Sequence, residues 1–181
     1  MNFKTVNDSR VTISKLMLPS YSNFSGKIHG GYILSMLDEI AFACACKHSG
    51  SYCVTASVET VNFLAPIEIG ELVTMKASVN FVGKSSMIIG IRVIAENIQT
   101  GEIKHCNSSY FTMVAKTSDG NNALVPGLKL TNSVEVKRFI KGIQQIKQRK
   151  ERELHKKNEN QFTLSDFEKE LINYNVQLAL D

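Results

Sequence analysis

Long apolar runs are missing from this chain of 181 residues. No unbroken apolar stretch reaches the ~18 residues a membrane span needs, so no transmembrane segment is expected. The opening stretch MNFKTVNDSR is polar and carries an acid early. It has no apolar h-region, which argues against a secretory signal. Cysteines at CxxC spacing are missing too. Cys44, Cys46, Cys53 and Cys106 stand in apolar or strand-like segments and form no CxxC pair. That excludes the usual zinc spacing, so no metal site is expected. A disulfide framework is not expected in a chain of this size with its own core. Reduced thiols in a cytoplasm are the plain expectation. No internal repeat is visible. Acids are scarce in one region: residues 137–157 hold nine lysines and arginines against Glu151 and Glu153. The first 126 residues are nearly neutral, so the net charge of +4 belongs to the C-terminal part.

What is present suffices for one domain with an extension, since 43% of the residues are hydrophobic. Residues 10–17, RVTISKLM, alternate loosely and read as a strand. Residues 18–28 carry Pro19, Ser20, Ser22, Asn23, Ser25 and Gly26 and read as loop. A long apolar run follows from Tyr32 to Cys46, and His48-Ser49-Gly50 closes it. About 18 residues is too long for a strand and makes a helix roughly 27 Å long. Being apolar nearly all round, it is expected to be buried on most sides. Gly50 is its expected stop.

Four strand-like runs come next: Tyr52–Phe63, Glu71–Val82, Ser85–Glu96 and Ile103–Ala115. Breakers separate them at 65–71, 83–84 and 97–101. Strands in series imply an antiparallel meander, and one buried helix implies a sheet curled around it. The fold class is therefore α+β. After Val125-Pro126-Gly127 the character changes. Residues 133–158 read as a helix with Val136, Phe139, Ile140, Ile143 and Ile146 as its apolar stripe, and a second helix is expected over 165–179. The division is thus 1–126 for the domain and 127–181 for a basic helical extension.

One acid, Asp38, interrupts the buried-looking helix. Its neighbours three and four positions away are Leu34, Ser35, Ala41 and Phe42. A carboxylate that loses water among such groups must find hydrogen bonds or shift its pKa, and such groups gather at functional sites. An acid at a helix edge, with Glu39 as its solvated neighbour, is the equally weighted structural alternative. His29-Gly30-Gly31 stands just ahead of the helix. Backbone N–H groups at a helix start lack partners, and glycine lets a ligand approach them. They can receive a developing oxyanion. An oxyanion donor and a carboxylate on one stripe suit attack of water on a carbonyl.

The motif Asn23-x-x-Gly26-x-x-His29-Gly30-Gly31 followed by Asp38 resembles the hotdog-fold acyl-CoA thioesterases. So do Val54-Thr55-Ala56-Ser57-Val58, Val61–Ile67 with Gly70-Glu71, the turn Gly83-Lys84-Ser85-Ser86-Met87, and Phe111–Ala115 with Val125-Pro126. The likeness spans residues 10–126 in order. It is nearest to the bacterial and mammalian long- and medium-chain acyl-CoA hydrolases. It implies an antiparallel sheet wrapped around the central helix, subunits paired edge to edge, and an active site between two subunits. Asp38 would be base or nucleophile, Asn23 of the other subunit would place water or the thioester, and Gly31 would supply an oxyanion N–H. His29 stands where this branch commonly has phenylalanine; it would hydrogen-bond the thioester region or only orient the loop. Gly30, Thr55 and Ser57 would line the substrate site. Gly83, Lys84, Ser85 and Ser86 would meet the coenzyme A phosphates, where lysine in place of the usual arginine keeps charge but loses bidentate geometry. Coenzyme A enters as part of the substrate, and no separate cofactor is implied. At least a homodimer is implied, and a hexamer as a trimer of dimers.

Two rival functions remain. A hotdog hydratase or dehydratase needs a histidine and an acid acting together, and the hydratase pattern around His29 is absent. A non-catalytic acyl-CoA sensor would use the basic tail as its reporter. That tail could meet nucleic acid, an acidic membrane surface or a partner helix. Packing on a neighbouring subunit with its charges solvated is the favoured reading. No nucleic-acid partner is expected, because no helix-turn-helix pattern is apparent.

Overall fold

The computed structural model describes residues 2–59, 61–158 and 174–177. The elements run β1 (Phe3–Thr5), α1 (Val6–Ser9), β2 (Val11–Leu16), α2 (Gly30–Ser49), β3 (Tyr52–Val58), β4 (Asn62–Phe63), β5 (Glu71–Val82), β6 (Ser86–Asn97), β7 (Ile103–Lys116), β8 (Gly127–Lys129) and α3 (Ser133–Asn158). The main sheet is antiparallel, in the order β2-β5-β6-β7-β3, with β4 also on β7. The strand after the long helix therefore sits beyond β7, and only β5-β6-β7 form a meander. A chain reversal through α2 carries β3 to the far edge, which a reading of runs in series does not foresee.

α2 lies against the sheet's inner face. Ile33, Met36, Leu37, Ile40, Ala41, Cys44 and Ala45 form one core with Val73, Met75, Val79, Met87, Ile89, Val93, Phe111 and Met113. Successive strand residues point to opposite faces, so Val73, Met75, Ala77 and Val79 of β5 turn inward; a bulge after Val79 then shifts the register, and Val82 rather than the expected Phe81 packs on the core. Gly50 ends α2 in the left-handed region at φ 72°, as its sequence position predicts. Lys4 Nζ donates to the carbonyls of Lys47 (3.2 Å) and His48 (2.7 Å), placing a cation at the negative end of that helix.

The helix is not buried on most sides. Gly31, Leu34, Ser35, Asp38, Glu39 and Phe42 form an exposed strip along it. Leu34 and Phe42 are apolar, yet 38% and 39% exposed, so hydrophobicity all round did not mean burial all round. The expected single strand 52–63 is broken into β3 and β4. A bulge interrupts β3 between Thr55 and Ser57. β1 and β8, paired in parallel, and the single-turn α1 were not anticipated. They are too short to show a period.

Two compact units are present, Met1–Gly142 and Ile143–Asp181. Within the first, Asn132 stands just ahead of α3, and its Oδ1 accepts the Glu135 N–H (3.0 Å). Glu135 Oε2 reaches back to the Thr131 N–H (2.7 Å). Phe139 packs against Phe81, and Gly142 meets the same ring's base. Val136, Ile140 and Ile143 from the expected stripe are exposed. In the second unit the helix continues to Asn158. The helix expected over 165–179 lies outside the described residues, save 174–177, which form a bend. No helix among the described residues is long and apolar enough to cross a membrane.

Candidate active site

Two clusters gather most of the candidate residues, at different heights along α2. The first is at its N-terminus. Asn23 Oδ1 accepts from the Ser25 N–H (3.0 Å), Ser25 Oγ (2.7 Å) and the Lys27 N–H (3.2 Å), which folds residues 23–27 into a tight loop. Gly26, at φ 77°, makes that turn possible. With Oδ1 occupied, the Asn23 amide NH2 is the end left to act outward. Ile28 anchors the loop by donating to the Ile67 carbonyl (2.9 Å), and Lys27 pairs with Glu68 at 2.6 Å.

His29 is the N-cap of α2. Its Nδ1 accepts the Gly31 N–H at 2.9 Å. An acceptor nitrogen carries no proton, so the ring's N–H is at Nε2. A Cβ on Gly31 would lie 2.9 Å from that ring as it stands. Gly30 instead faces the Phe63 ring at ordinary contact distance. The Gly30 N–H makes no hydrogen bond among the described residues. One of the two expected oxyanion donors is therefore open, and the other is covered by an exposed imidazole.

The second cluster is two turns further along. Thr55 Oγ1 donates to Asp38 Oδ1 at 2.6 Å, joining β3 to α2. Asp38 is exposed in the protomer, contrary to the desolvation expected from its sequence neighbours. Of those neighbours only Ala41 is buried; Leu34 and Phe42 share the outward strip. Asp38 and Thr55 line a shallow cavity of about 440 Å3 with Glu39, Phe42, Tyr52, Cys53 and Val54. Phe42 and Tyr52 pack edge to face at 5.7 Å. Burial pushes the Cys53 thiol up to about 11, so it is no nucleophile in this cavity. Ser57 lies past the bulge, half-buried.

The turn 83–86 belongs to neither cluster. The Gly83 N–H donates to the Ser86 carbonyl (2.7 Å), and the Lys84 and Ser85 carbonyls accept from Val125 and Ala115. Gly83 and Lys84 line a cavity of about 400 Å3 with Ser49, Leu124, Val125 and Pro126. Ser49 ends α2, about 16 Å along the helix from Asp38. His48 nearby, read in the sequence only as part of the helix end, is fully buried, with Nε2 3.1 Å from the Pro126 carbonyl and Nδ1 without a hydrogen-bond partner among the described residues. Its burial, which holds the imidazole below its ordinary pKa, has no signature in sequence. Among the described residues, no three of His, Cys, Asp and Glu could hold a metal ion.

A hotdog-like sheet around one helix, with an acid at mid-helix and a glycine pair at its start, can be compared with known proteins. The thioesterase superfamily profile matches residues 25–102. YkhA of Bacillus subtilis, named as an uncharacterized acyl-CoA thioester hydrolase, is 32% identical over 148 residues, which are 82% of this chain and 86% of that protein. The chain belongs to the hotdog-fold acyl-CoA thioesterases. VdlD of Helicobacter pylori is 39% identical over 135 residues, 75% of this chain and 77% of its own. A hexameric acyl-CoA thioesterase solved without ligand superposes with TM-score 0.82 at 32% identity, covering 84% of this chain and 97% of that one. The acyl-CoA hydrolase of Staphylococcus aureus, solved with butyryl coenzyme A, coenzyme A and coenzyme A disulfide, gives 0.79 at 29% identity, covering 86% and 95%. This thioesterase is thus an enzyme of acyl-CoA thioester hydrolysis. Its relatives favour hydrolysis over the hydratase and sensor readings.

Proposed function

We propose that this thioesterase hydrolyses acyl-CoA in a site shared by two copies of the chain, with Asp38 as base or nucleophile. The carrying observation is the pair of separate half-sites. Gly31 and Asp38 are seven residues apart on one helix, or about 10 Å. Both groups face outward from the protomer, so a second copy can bring its Asn23 and glycine-pair half-site to the Asp38–Thr55 half-site of the first.

In this arrangement the thioester oxygen points at the Gly30 N–H, and at the Gly31 N–H once His29 turns aside. The Asn23 amide NH2 of the other copy places water or the thioester. Asp38, oriented by Thr55, takes the water proton or attacks the carbonyl carbon. The carbon–sulfur bond breaks and coenzyme A leaves as a thiolate. With a thiol pKa near ~8.5, that leaving group needs no strong general acid. Ser57 lines the acyl side. Gly83, Lys84, Ser85 and Ser86 hold the phosphates at the far end of α2.

Several features support pairing of copies. β3 is an edge strand with Tyr52 and Val58 exposed on it, and the α2 strip exposes Leu34 and Phe42. Unpaired strand edges are normally covered. The hexameric relative fits a trimer of such dimers. In the S. aureus relative, variants of an asparagine, an aspartate and a threonine to alanine have each been solved, the same residue types as Asn23, Asp38 and Thr55. Four free cysteines fit a cytoplasmic setting.

The test is release of coenzyme A from an acyl series by wild type and Asp38→Asn, read without relying on a thiol dye alone. A general base is worth about 10²–10⁴ in rate, so the variant should lose at least a hundredfold with fold and assembly intact. Retained turnover in Asp38→Asn would remove Asp38 from the chemistry. Tight acyl-CoA binding without turnover in either protein would restore the sensor.

A further inference from the structure

The positive charge of this chain is concentrated on α3. Nine lysines and arginines stand there against Glu135, Glu151 and Glu153, which gives the helix a net charge of +6 where the whole chain has +4. The remainder of the chain is therefore close to neutral. From Val136 to Lys150 no acid interrupts the cations. Glu135, just ahead of that stretch, is buried and accepts the Thr131 N–H at 2.7 Å and the Thr131 hydroxyl at 3.0 Å. Its carboxylate is held at the helix start.

A charged helix without exposed apolar groups would simply be solvated. This one exposes aliphatic side chains as well. In the first unit Val136 and Ile140 are one turn apart and 42% and 49% exposed. Ile143, the first residue of the second unit, continues the same spacing and is exposed too. These three are not the face that holds the helix down. Phe139 packs against Phe81, and Gly142 meets the base of that ring, about a quarter turn round the helix axis. Lys137, Lys147 and Lys150 border the aliphatic strip and are exposed. None of them takes part in an ion pair among the described residues. Lys141 is turned the other way, over the Tyr110 ring with its Nζ 3.1 Å from the hydroxyl.

Three covers would meet this amphipathic surface differently. A nucleic acid would engage the cations and leave Val136, Ile140 and Ile143 in water. The α3 of a second copy would bring another +6 against the first, and the near-neutral remainder of the chain offers no strongly acidic face. An anionic bilayer surface matches both parts. The aliphatic side chains enter the acyl boundary, the lysine stems follow them, and the ammonium heads reach the headgroups.

We propose that α3 docks on an anionic lipid bilayer surface, with Val136, Ile140 and Ile143 inserted and Lys137, Lys147 and Lys150 on the headgroups. This is an interfacial contact and not a span, since no helix among the described residues is long and apolar enough to cross. Insertion of three aliphatic side chains is shallow, and each lysine alone attracts weakly. Docking is therefore reversible and needs both parts. The proposal does not rest on the role of Asp38.

The test is flotation of the full-length protein with vesicles of phosphatidylglycerol and phosphatidylcholine in equal parts, beside vesicles of phosphatidylcholine alone. Binding to the anionic vesicles is expected, about tenfold or more tighter than to the neutral ones and weakening as salt rises. Val136→Ser/Ile140→Ser and Lys147→Gln/Lys150→Gln should each bind about tenfold or more weakly. Their melting temperatures should barely move, since all four side chains are exposed. Absence of binding to the anionic vesicles, equal binding to both kinds, or no loss in the aliphatic variant would overturn the proposal. So would tight binding of duplex DNA with none to vesicles, which would make the helix a nucleic-acid contact. A changed sedimenting mass in Val136→Ser/Ile140→Ser, with no vesicle binding by wild type, would overturn it as well and make the strip an interface between copies of the chain.

Discussion

The Thr55 hydroxyl gives the Asp38 carboxylate one fixed donor, 2.6 Å away, in an otherwise open cavity. A hydrogen bond to a charged group is worth about 1.5–3 kcal/mol, so removing it should cost roughly tenfold or more in rate. Thr55→Val is expected to lower kcat by that amount with little change in KM, because it orients the acid and leaves the coenzyme A contacts alone. Steady-state kinetics across an acyl series check this; a change confined to KM would make Thr55 a substrate contact instead. His48 carries a second prediction. Burial holds its pKa below the ordinary value of 6.5, so in the window beneath 6.5 the unfolded chain binds a proton that the folded one does not. Stability is then full above 6.5 and falls as pH drops toward the folded value. Denaturant titrations from pH 8 to 5 should show that slope, flattened in His48→Gln. Asp38 was legible in the sequence as an acid out of place, but its environment was not. Leu34 and Phe42 are apolar and exposed, and a single sequence does not say which side of an apolar helix meets its own sheet.

Helix and strand limits were more legible than strand order. β5 begins and ends where its clean alternation does, and α2 stops at Gly50. The stretch 52–63 misled because both its parts are apolar and β-prone, and the bulge after Thr55 breaks the period without a glycine or proline to mark it. The tail helix was legible from Ser133 onward, yet its stripe divided: Phe139 turns to the sheet while Val136 and Ile140 stay outside. The seat of α3 depends on Gly142. A Cβ there would stand 2.6 Å from Phe81 Cβ, an atom fixed to the β5 backbone. Alanine in a helix gains about 1 kcal/mol over glycine, but overpacking costs about 1–3 kcal/mol. Gly142→Ala should therefore destabilise the protein on balance, seen as a lower urea midpoint. A raised midpoint would mean that α3 packs less tightly here.

At the scale of the assembly, a shared site predicts complementation. Asp38→Asn and Asn23→Ala each spoil every site of a pure dimer. Mixed and reassembled, half the dimers are mixed, and each of these has one site with both residues intact. Activity should return to about a quarter of wild type. No recovery, with subunit exchange shown by mass spectrometry, would place both residues in one chain's site. The sequence could suggest this only through its likeness to a family, because which side of α2 is left open shows only in the fold.

A site shared by two copies would also set how output responds to abundance. If each site draws on both, a lone chain is idle, and in dilute solution the active form accumulates as the square of total protein. Halving a low supply would then quarter the hydrolysis, and the enzyme would act as a threshold element, nearly silent when scarce and proportional once pairing saturates.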